Sequence, residues 1–137
     1  MTEFSVEVRS RTTATLPGAA PAEPIYIPAS AELISVTELI GRAVAEQIRS
    51  LLLRHNHRPA AVQATLGEYY GLPAEPGAPA DEGINLTAET RKARAAFKAG
   101  AYAIFLNGRA LRALDEQIEL SASDRVIFLR MTPLAGG

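Results

Sequence analysis

Alternating apolar and polar residues open the chain. Phe4, Val6 and Val8 alternate with polar neighbours, and this period of two predicts a strand with one buried face. Residues 25–27 form a second short apolar stretch, which we expect to stop at Pro28. The two strands are therefore expected to pair as an antiparallel hairpin, whose tip is a long Pro- and Gly-containing loop at residues 12–24.

The strongest helical pattern covers residues 36–55. Ser35 followed by Glu38 is typical of a capping box, and Ile34 and Leu39 flank it as a hydrophobic staple. Polar residues occupy the opposite side of the predicted helix from an apolar stripe. The pattern predicts one long amphipathic helix that packs on a sheet through Val36, Leu39, Ile40, Ala43, Val44, Ile48, Leu51 and Leu52.

Residues 57–100 are less regular and are interpreted as an insert. Residues 60–70 are compatible with a short helix, whereas the following stretch is rich in Ala, Pro and Gly. Residues 87–99 have a second helical pattern, and Gly100 stands where a helix commonly ends. The insert is therefore expected to be partly helical.

Strand patterns dominate the last third of the chain. Residues 102–106 are a nearly continuous apolar run, as in a strand covered on both faces. Asn107-Gly108 indicates a tight hairpin, because both residues tolerate the positive φ of a type I′ turn. Residues 111–120 contain the returning strand and a connection, and residues 124–131 form a strong final strand whose apolar part is 126–129.

This order of elements predicts an α+β fold. We expect a mixed sheet of four or five strands packed on one long helix, with the partly helical insert (about 57–100) before the third strand. Parallel pairing of the first and last strands at the centre of the sheet would explain why the last strand is so apolar. Residues 1–131 would form a single domain, and residues 132–137 a flexible C-terminal tail.

Composition excludes several classes of protein. The 137 residues are 47% hydrophobic and include no cysteine, which excludes disulfides, thiolate metal sites and cysteine nucleophiles. A net charge of −1 gives no electrostatic reason to expect binding to nucleic acid or to an anionic membrane. The start of the chain lacks the apolar core of a signal peptide, and no apolar run is long enough to span a bilayer. We expect a cytoplasmic protein.

Patterns that would indicate catalysis or metal binding are weak. His55 and His57 have no further ligand nearby in sequence, which is more typical of a solvated helix end than of a metal site. The acid pairs at 81–82 and 115–116 consist of adjacent residues, which point in opposite directions on a strand. No phosphate-binding glycine loop or Ser-His-acid pattern is present. We therefore expect a protein that is not an enzyme and binds no cofactor.

The C-terminal pair Gly136-Gly137 is the feature with the clearest chemical meaning. It follows a short tail that can reach roughly 20 Å when extended. Without Cβ atoms, two glycines let a backbone enter a narrow site and approach a nucleotide phosphate closely. A terminal carboxylate with a pKa of about 3.5 is ionised at neutral pH and can attack that phosphate. The acyl-adenylate formed in this way can pass to a thiol, an amine or sulfide.

Three segments of the chain resemble the ubiquitin-like β-grasp superfamily. Residues 104–109 (IFLNGR) are similar to a hairpin of the sulfur carriers of thiamine and molybdopterin biosynthesis. Residues 124–128 (DRVIF) resemble the last strand of these carriers, and residues 133–137 (PLAGG) resemble their tail. The insert and the longer tail have no counterpart in the small carriers. The chain therefore looks more like the bacterial ubiquitin-like protein modifiers.

The resemblance implies that Gly137, preceded by Gly136, is adenylated and joined to target proteins. It implies four partners: an activating enzyme that uses ATP-Mg, a conjugating enzyme, a deconjugating peptidase and the target. A sulfur carrier bearing a thiocarboxylate at Gly137 is an alternative. A ubiquitin-like module that interacts without covalent attachment is another.

The final strand has two faces, and one of them is a candidate docking surface. We expect Arg130 to face water, which would leave Val126 and Phe128 exposed on the same side as a patch for the activating enzyme. Leu134 in the tail is a further candidate for partner binding. The alternative is that the insert covers this face and that Val126 and Phe128 belong to the core.

Two further groups of residues also have two interpretations. Tyr69-Tyr70 either anchors the insert by packing or contacts a partner, and packing is the preferred interpretation. Lys92 and Lys98 are the only lysines, and they are either part of a charged helix face or acceptors for self-conjugation.

Overall fold

The computed structural model describes residues 4–12, 24–30, 33–54, 58–70 and 85–130. The described strands are β1 (Phe4–Thr12), β2 (Ile25–Ala29), β3 (Leu33–Ser35), β4 (Tyr102–Leu106), β5 (Arg109–Leu111), β6 (Gln117–Glu119) and β7 (Arg125–Arg130). The described helices are α1 (Val36–Arg54), α2 (Pro59–Tyr70) and α3 (Leu86–Lys98). The expected loop at 12–24 lies almost entirely outside the described residues.

Five of the described strands form one mixed sheet in the order β2-β1-β7-β4-β5. β1 and β7 pair in parallel at its centre, with Val8 opposite Val126. The neighbouring pairs β1–β2, β4–β7 and β4–β5 are antiparallel. The parallel pairing of the first and last strands and the α+β architecture are therefore confirmed.

A second, two-stranded sheet pairs β3 with β6. β3 was not expected, because its three residues run directly into the start of α1. Ile34 and Ile118 face each other in this pair, and both are buried. The pairing of Ile34 with Ile118 thus fixes a short strand immediately before α1.

Helix α1 begins and ends close to the predicted bounds. The backbone N–H of Glu38 donates to Ser35 Oγ at 3.1 Å, which confirms Ser35 as the capping residue. All the residues of the predicted stripe are buried except Leu52, which is half-buried. The helix is held in place by burial of its apolar stripe in the single core cluster that it shares with the sheet.

Strand β2 continues through Pro28, so the expectation that this residue stops the strand is wrong. Proline lacks the N–H needed for a ladder hydrogen bond, but β2 is an edge strand. The carbonyl of Pro28 accepts a hydrogen bond from Arg42 of α1 at 2.9 Å instead. Since the N–H and C=O of one strand residue point the same way, the missing donor faces away from β1 and its loss breaks no ladder bond.

The predicted insert contributes two described helices to the layer that covers the sheet. α1 contacts β2, α2 contacts β1 and β7, and α3 contacts β4. The sheet is therefore covered by three helices rather than by one. Asn85 caps α3 by accepting from the backbone N–H of Ala88, and Gly100 follows its C-cap with a φ of +81°. No helix among the described residues has the length and apolarity needed to cross a membrane.

Tyr70 anchors the end of α2 in the core, as preferred for Tyr69-Tyr70; the side chain of Tyr69 lies outside what the structure describes. The ring of Tyr70 packs edge-on against Tyr102 and Phe128, at centroid distances of 5.0 and 6.1 Å. Its hydroxyl donates to Gln47 Oε1, and Gln47 Nε2 donates to Ser10 Oγ at 3.2 Å. This chain of hydrogen bonds satisfies the buried polar atoms of Gln47.

A side-chain clamp joins the β4–β5 turn to the start of β7. Asn107 and Gly108 have φ values of +51° and +86°, which confirms the predicted turn. Asn107 Nδ2 donates to Asp124 Oδ1 at 2.9 Å, and Asn107 Oδ1 accepts from the backbone N–H of Arg125 at 2.9 Å. Asp124 also accepts from the hydroxyl and the backbone N–H of Ser121.

The clamp makes stability depend on pH. Burial alone would raise the pKa of Asp124, but the hydrogen bonds from Asn107 and Ser121 outweigh it and hold the pKa below its ordinary value of 3.8. Asp124 therefore stabilises the fold above that value, and the contribution is lost as the pH falls through the lower folded pKa. We predict that Asp124→Asn lowers stability at neutral pH and flattens its decline in this acidic window. Urea unfolding at a series of pH values measures both effects, and Asp115→Asn, at an exposed position, is the matched control.

The Tyr70–Gln47 hydrogen bond gives a second prediction. Tyr70→Phe keeps the ring but leaves the buried Gln47 oxygen without this donor, and we expect a loss of about 1–3 kcal/mol in the free energy of unfolding. Tyr26→Phe removes a hydroxyl from a side chain that is 57% exposed and should change stability by less than about 0.5 kcal/mol. Equal effects of the two substitutions on urea unfolding would contradict the anchoring role of Tyr70.

Candidate functional site

The structure does not support the docking patch expected on the final strand. Val126 and Phe128 are buried, with 1% and 0% of their surface exposed, so the expectation that they form an exposed patch is wrong. Their side of β7 faces the helices, and Tyr70 of α2 packs on Phe128. The alternative interpretation, in which the insert covers this face, is correct.

The other predicted site residues fall at or beyond the end of β7. Arg130 is the last residue of the strand and is half-buried. Leu134, Gly136 and Gly137 lie outside the described residues, and their roles stay predictions. A candidate surface among the described residues therefore lies on the opposite side of β7.

We use the name outer face for the side of the five-stranded sheet that is turned away from the helices. Ile127 and Leu129 lie on it, because they alternate with the buried Val126 and Phe128. Both are half-buried. Ile127 lies opposite Phe105 of β4, and Leu129 lies opposite Ala103.

Strand β4 also contributes only half-buried residues to the outer face. Ala103 and Phe105 are half-buried, whereas the alternating residues of β4 are fully buried. The expectation that β4 is covered on both faces is therefore wrong. Phe105 in turn lies opposite the half-buried Ala110 of β5. Register thus joins five half-buried side chains into one continuous apolar strip across three strands: Ala103, Phe105, Ala110, Ile127 and Leu129.

Charged side chains border this strip on the β1 side. Arg9 lies opposite Ile127, and Glu7 lies opposite both Arg125 and Tyr26. Arg9 Nε donates to Glu7 Oε1, which forms an ion pair along the strand. A surface depression of about 130 Å³ is lined here by Glu7, Arg9, Arg125, Val126 and Ile127.

The sequence contained the signal for this surface in β1 rather than in β7. Glu7 and Arg9 alternate with Val6 and Val8, which identifies the polar side of β1. Both sides of β7 are apolar, so its own pattern favours neither. The register between the two strands is known only from the structure. It places Ile127 of β7 opposite Arg9, and therefore on the polar side of β1.

The acid pair at 115–116 serves the fold. Glu116 Oε1 accepts from the backbone N–H of Arg112 at 2.9 Å, and Glu116 Oε2 accepts from Arg109 at 3.1 Å. These two contacts, the backbone one first, lower the pKa of Glu116. Glu116 therefore braces the connection after β5 and does not form a carboxylate pair for proton transfer.

The other residues considered for metal binding, acid–base chemistry or conjugation form no cluster in the described ranges. No group of three His, Asp or Glu side chains there could hold a metal ion. His55, His57 and the acid pair at 81–82 lie outside those ranges. Lys92 forms an ion pair with Glu89 at 3.6 Å, and Lys98 is exposed in the last turn of α3. Both lysines therefore belong to a charged helix face, and their role as acceptors stays a prediction.

No protein-family model, curated protein or solved structure matches this chain. The features of this chain that bear on function are therefore the topology of the sheet, the tail sequence and the outer face.

The assignment of the two faces predicts different costs for two phenylalanine substitutions. Phe128→Ala creates a cavity in the core and should cost about 3–5 kcal/mol of stability. Phe105→Ala trims a half-buried side chain on the adjacent strand and should cost about 1–2 kcal/mol. Urea unfolding of both variants measures the difference. A larger loss for Phe105→Ala would show that the faces are reversed.

Proposed function

We propose that this chain is a ubiquitin-like protein modifier, a β-grasp domain whose Gly137 is adenylated by an activating enzyme and joined to target proteins. The observation that carries the proposal is the central parallel pair β1–β7 in a mixed sheet with α1 packed on one face. This topology is compatible with a β-grasp, the fold that the sequence resemblance implies. The resemblance covers residues 101–137 well and residues 1–56 loosely.

The position of β7 supports the proposal. The strand is central in the sheet, where it pairs on both sides with β1 and β4, so its last residue has a fixed position. In the sequence, the tail with Gly136-Gly137 follows directly after Arg130. A tail that starts from a rigid strand needs only a few flexible residues to present its carboxylate to a partner.

The insert also supports a modifier rather than a small sulfur carrier. Its helices α2 and α3 extend the core on the helix side of the sheet, and they bury Val62, Leu66, Tyr70, Ala93, Ala96 and Phe97. The small carriers that the sequence resembles have no counterpart to this region. The outer face is turned away from the helices and leaves the apolar strip half-buried.

Conjugation leaves a chemical signature that the sequence defines in advance. Trypsin cleaves after Arg130, so a conjugated lysine of a target would carry residues 131–137 (MTPLAGG) as a branch. We expect this branch on target lysines when a tagged chain is purified under denaturing conditions from its source organism and digested for mass spectrometry. A matched chain in which Gly136-Gly137 is deleted should give no branched peptides.

Other outcomes separate the alternative functions. A peptide 131–137 with sulfur in place of one terminal oxygen would identify a sulfur carrier and contradict the modifier. Detection of only the unmodified carboxylate, together with full function of the deletion variant in the source organism, would indicate a module that binds without covalent attachment.

A further inference from the structure

We propose that the five-stranded sheet is closed to the addition of a further strand at both of its edges. Pro24, Pro28 and Arg42 close the edge at β2, and Glu116 closes the edge at β5. This inference goes beyond the proposed function and holds whatever chemistry occurs at Gly137, because it concerns only the backbone of the two edge strands.

An edge strand has one row of backbone N–H and C=O groups that no neighbour in its sheet uses. In this sheet the edge strands are β2 and β5. Such a row can pair with an extended segment of a partner or with the same strand of a second copy, and main-chain hydrogen bonds then supply much of the affinity. The number of groups that are free to pair therefore decides whether an edge accepts a strand.

At β2, most of the outward positions are prolines. The carbonyl of Pro28 bonds Arg42 of α1, so the backbone of Pro28 points away from β1. Outward and inward residues alternate, so Tyr26 also points outward, and Pro24 stands at the next outward position before the strand. Because proline has no N–H, only Tyr26 of these three residues can donate to an added strand.

Arg42 blocks the carbonyl of Pro28. Its Nη1 donates to that oxygen at 2.9 Å, and its Nη2 donates to Glu38 Oε1 at 2.8 Å. The N–H of an added strand would have to stand about 2.9 Å from the same oxygen, where the guanidinium already lies. The ion pair with Glu38, one turn earlier on α1, holds the guanidinium in this place.

At β5, a carboxylate blocks a backbone donor instead. A two-residue turn joins β4 to β5, so Leu106 and Arg109 face each other as a hydrogen-bonded pair. The backbones of Ala110 and Arg112 therefore point away from β4. Glu116 Oε1 accepts from the backbone N–H of Arg112 at 2.9 Å, where the carbonyl oxygen of an added strand would stand. Glu116 Oε2 accepts from the Arg109 side chain at 3.1 Å, which fixes the carboxylate.

Each edge is thus left with one outward residue, Tyr26 or Ala110, that keeps both backbone groups for pairing. One residue supplies one donor and one acceptor, whereas a strand usually pairs over about five residues. We therefore expect these edges neither to capture an extended peptide nor to pair with the edge of a second copy.

Opening the β2 edge tests the proposal. Pro28→Val supplies the missing N–H, and Arg42→Ala releases the carbonyl. We expect the parent chain to stay monomeric in sedimentation equilibrium and the double variant to form a species of twice the monomer mass. Hydrogen exchange at the Tyr26 amide locates the contact. Its rate should fall with rising protein concentration in the double variant and should not depend on concentration in the parent.

The matched control combines Pro28→Val with Arg49→Ala. Arg49 also lies on α1 and pairs with an acid, Glu46, at 3.8 Å, but it is exposed and the structure gives it no contact with a strand in the described residues. This control keeps Arg42 and should stay monomeric. Thermal unfolding checks that each variant is folded. If the double variant is not, Glu116→Ala opens the β5 edge, and exchange at the Ala110 amide is measured instead.

Three results would overturn the proposal. The first is a folded chain with an opened edge that stays monomeric with an unprotected reporter amide. The second is self-association of the Arg49→Ala control equal to that of the double variant. The third is protection of the Tyr26 amide that rises with concentration in the parent chain, because the edge would then already be open.

Discussion

The parallel pairing of β1 with β7 is the constraint on which the rest of the structure depends. It joins the first described strand to the last, with a register that runs from Glu7–Arg125 to Thr12–Arg130. Parallel neighbours cannot be joined by a tight turn, so the chain between them must leave the sheet and return. The helices of this connection cover one side of the sheet, and they bury Val6, Val8, Val126 and Phe128 there. The opposite side becomes the outer face.

Local signals in the sequence were sufficient to predict most of the helices, strands and turns. Ser35 and the apolar stripe located α1, and Asn107-Gly108 located the β4–β5 turn, because a cap and a positive φ are decided within a few residues. The continuation of β2 through Pro28 was not predictable in this way. It depends on β2 being an edge strand and on Arg42 of α1 reaching the Pro28 carbonyl, which are both properties of the assembled fold.

The candidate surface could not be assigned from β7 alone. Val126 and Phe128 are as apolar as Ile127 and Leu129, so hydropathy favours neither side. Arg130 suggested the wrong side because it is the last residue of the strand, where a long charged side chain can reach water from either face. The register with β1 resolves the question, because Glu7 and Arg9 identify the side of the sheet that the helices leave open.

The insert determines which side of β7 is covered. α2 contacts β1 and β7 on the helix side, which gives Phe128 a second layer of packing through Tyr70. Because this added core lies on the same side as α1, it thickens the domain without covering Ile127 or Phe105. The central strand β7 is thereby fixed by the core on the helix side, whereas Ile127 and Leu129 on its other side are only half-buried. In the sequence, the tail with Gly136-Gly137 continues directly from this strand, so in the proposed modifier the enzyme that activates Gly137 would act next to a strand that is held by both of its neighbours.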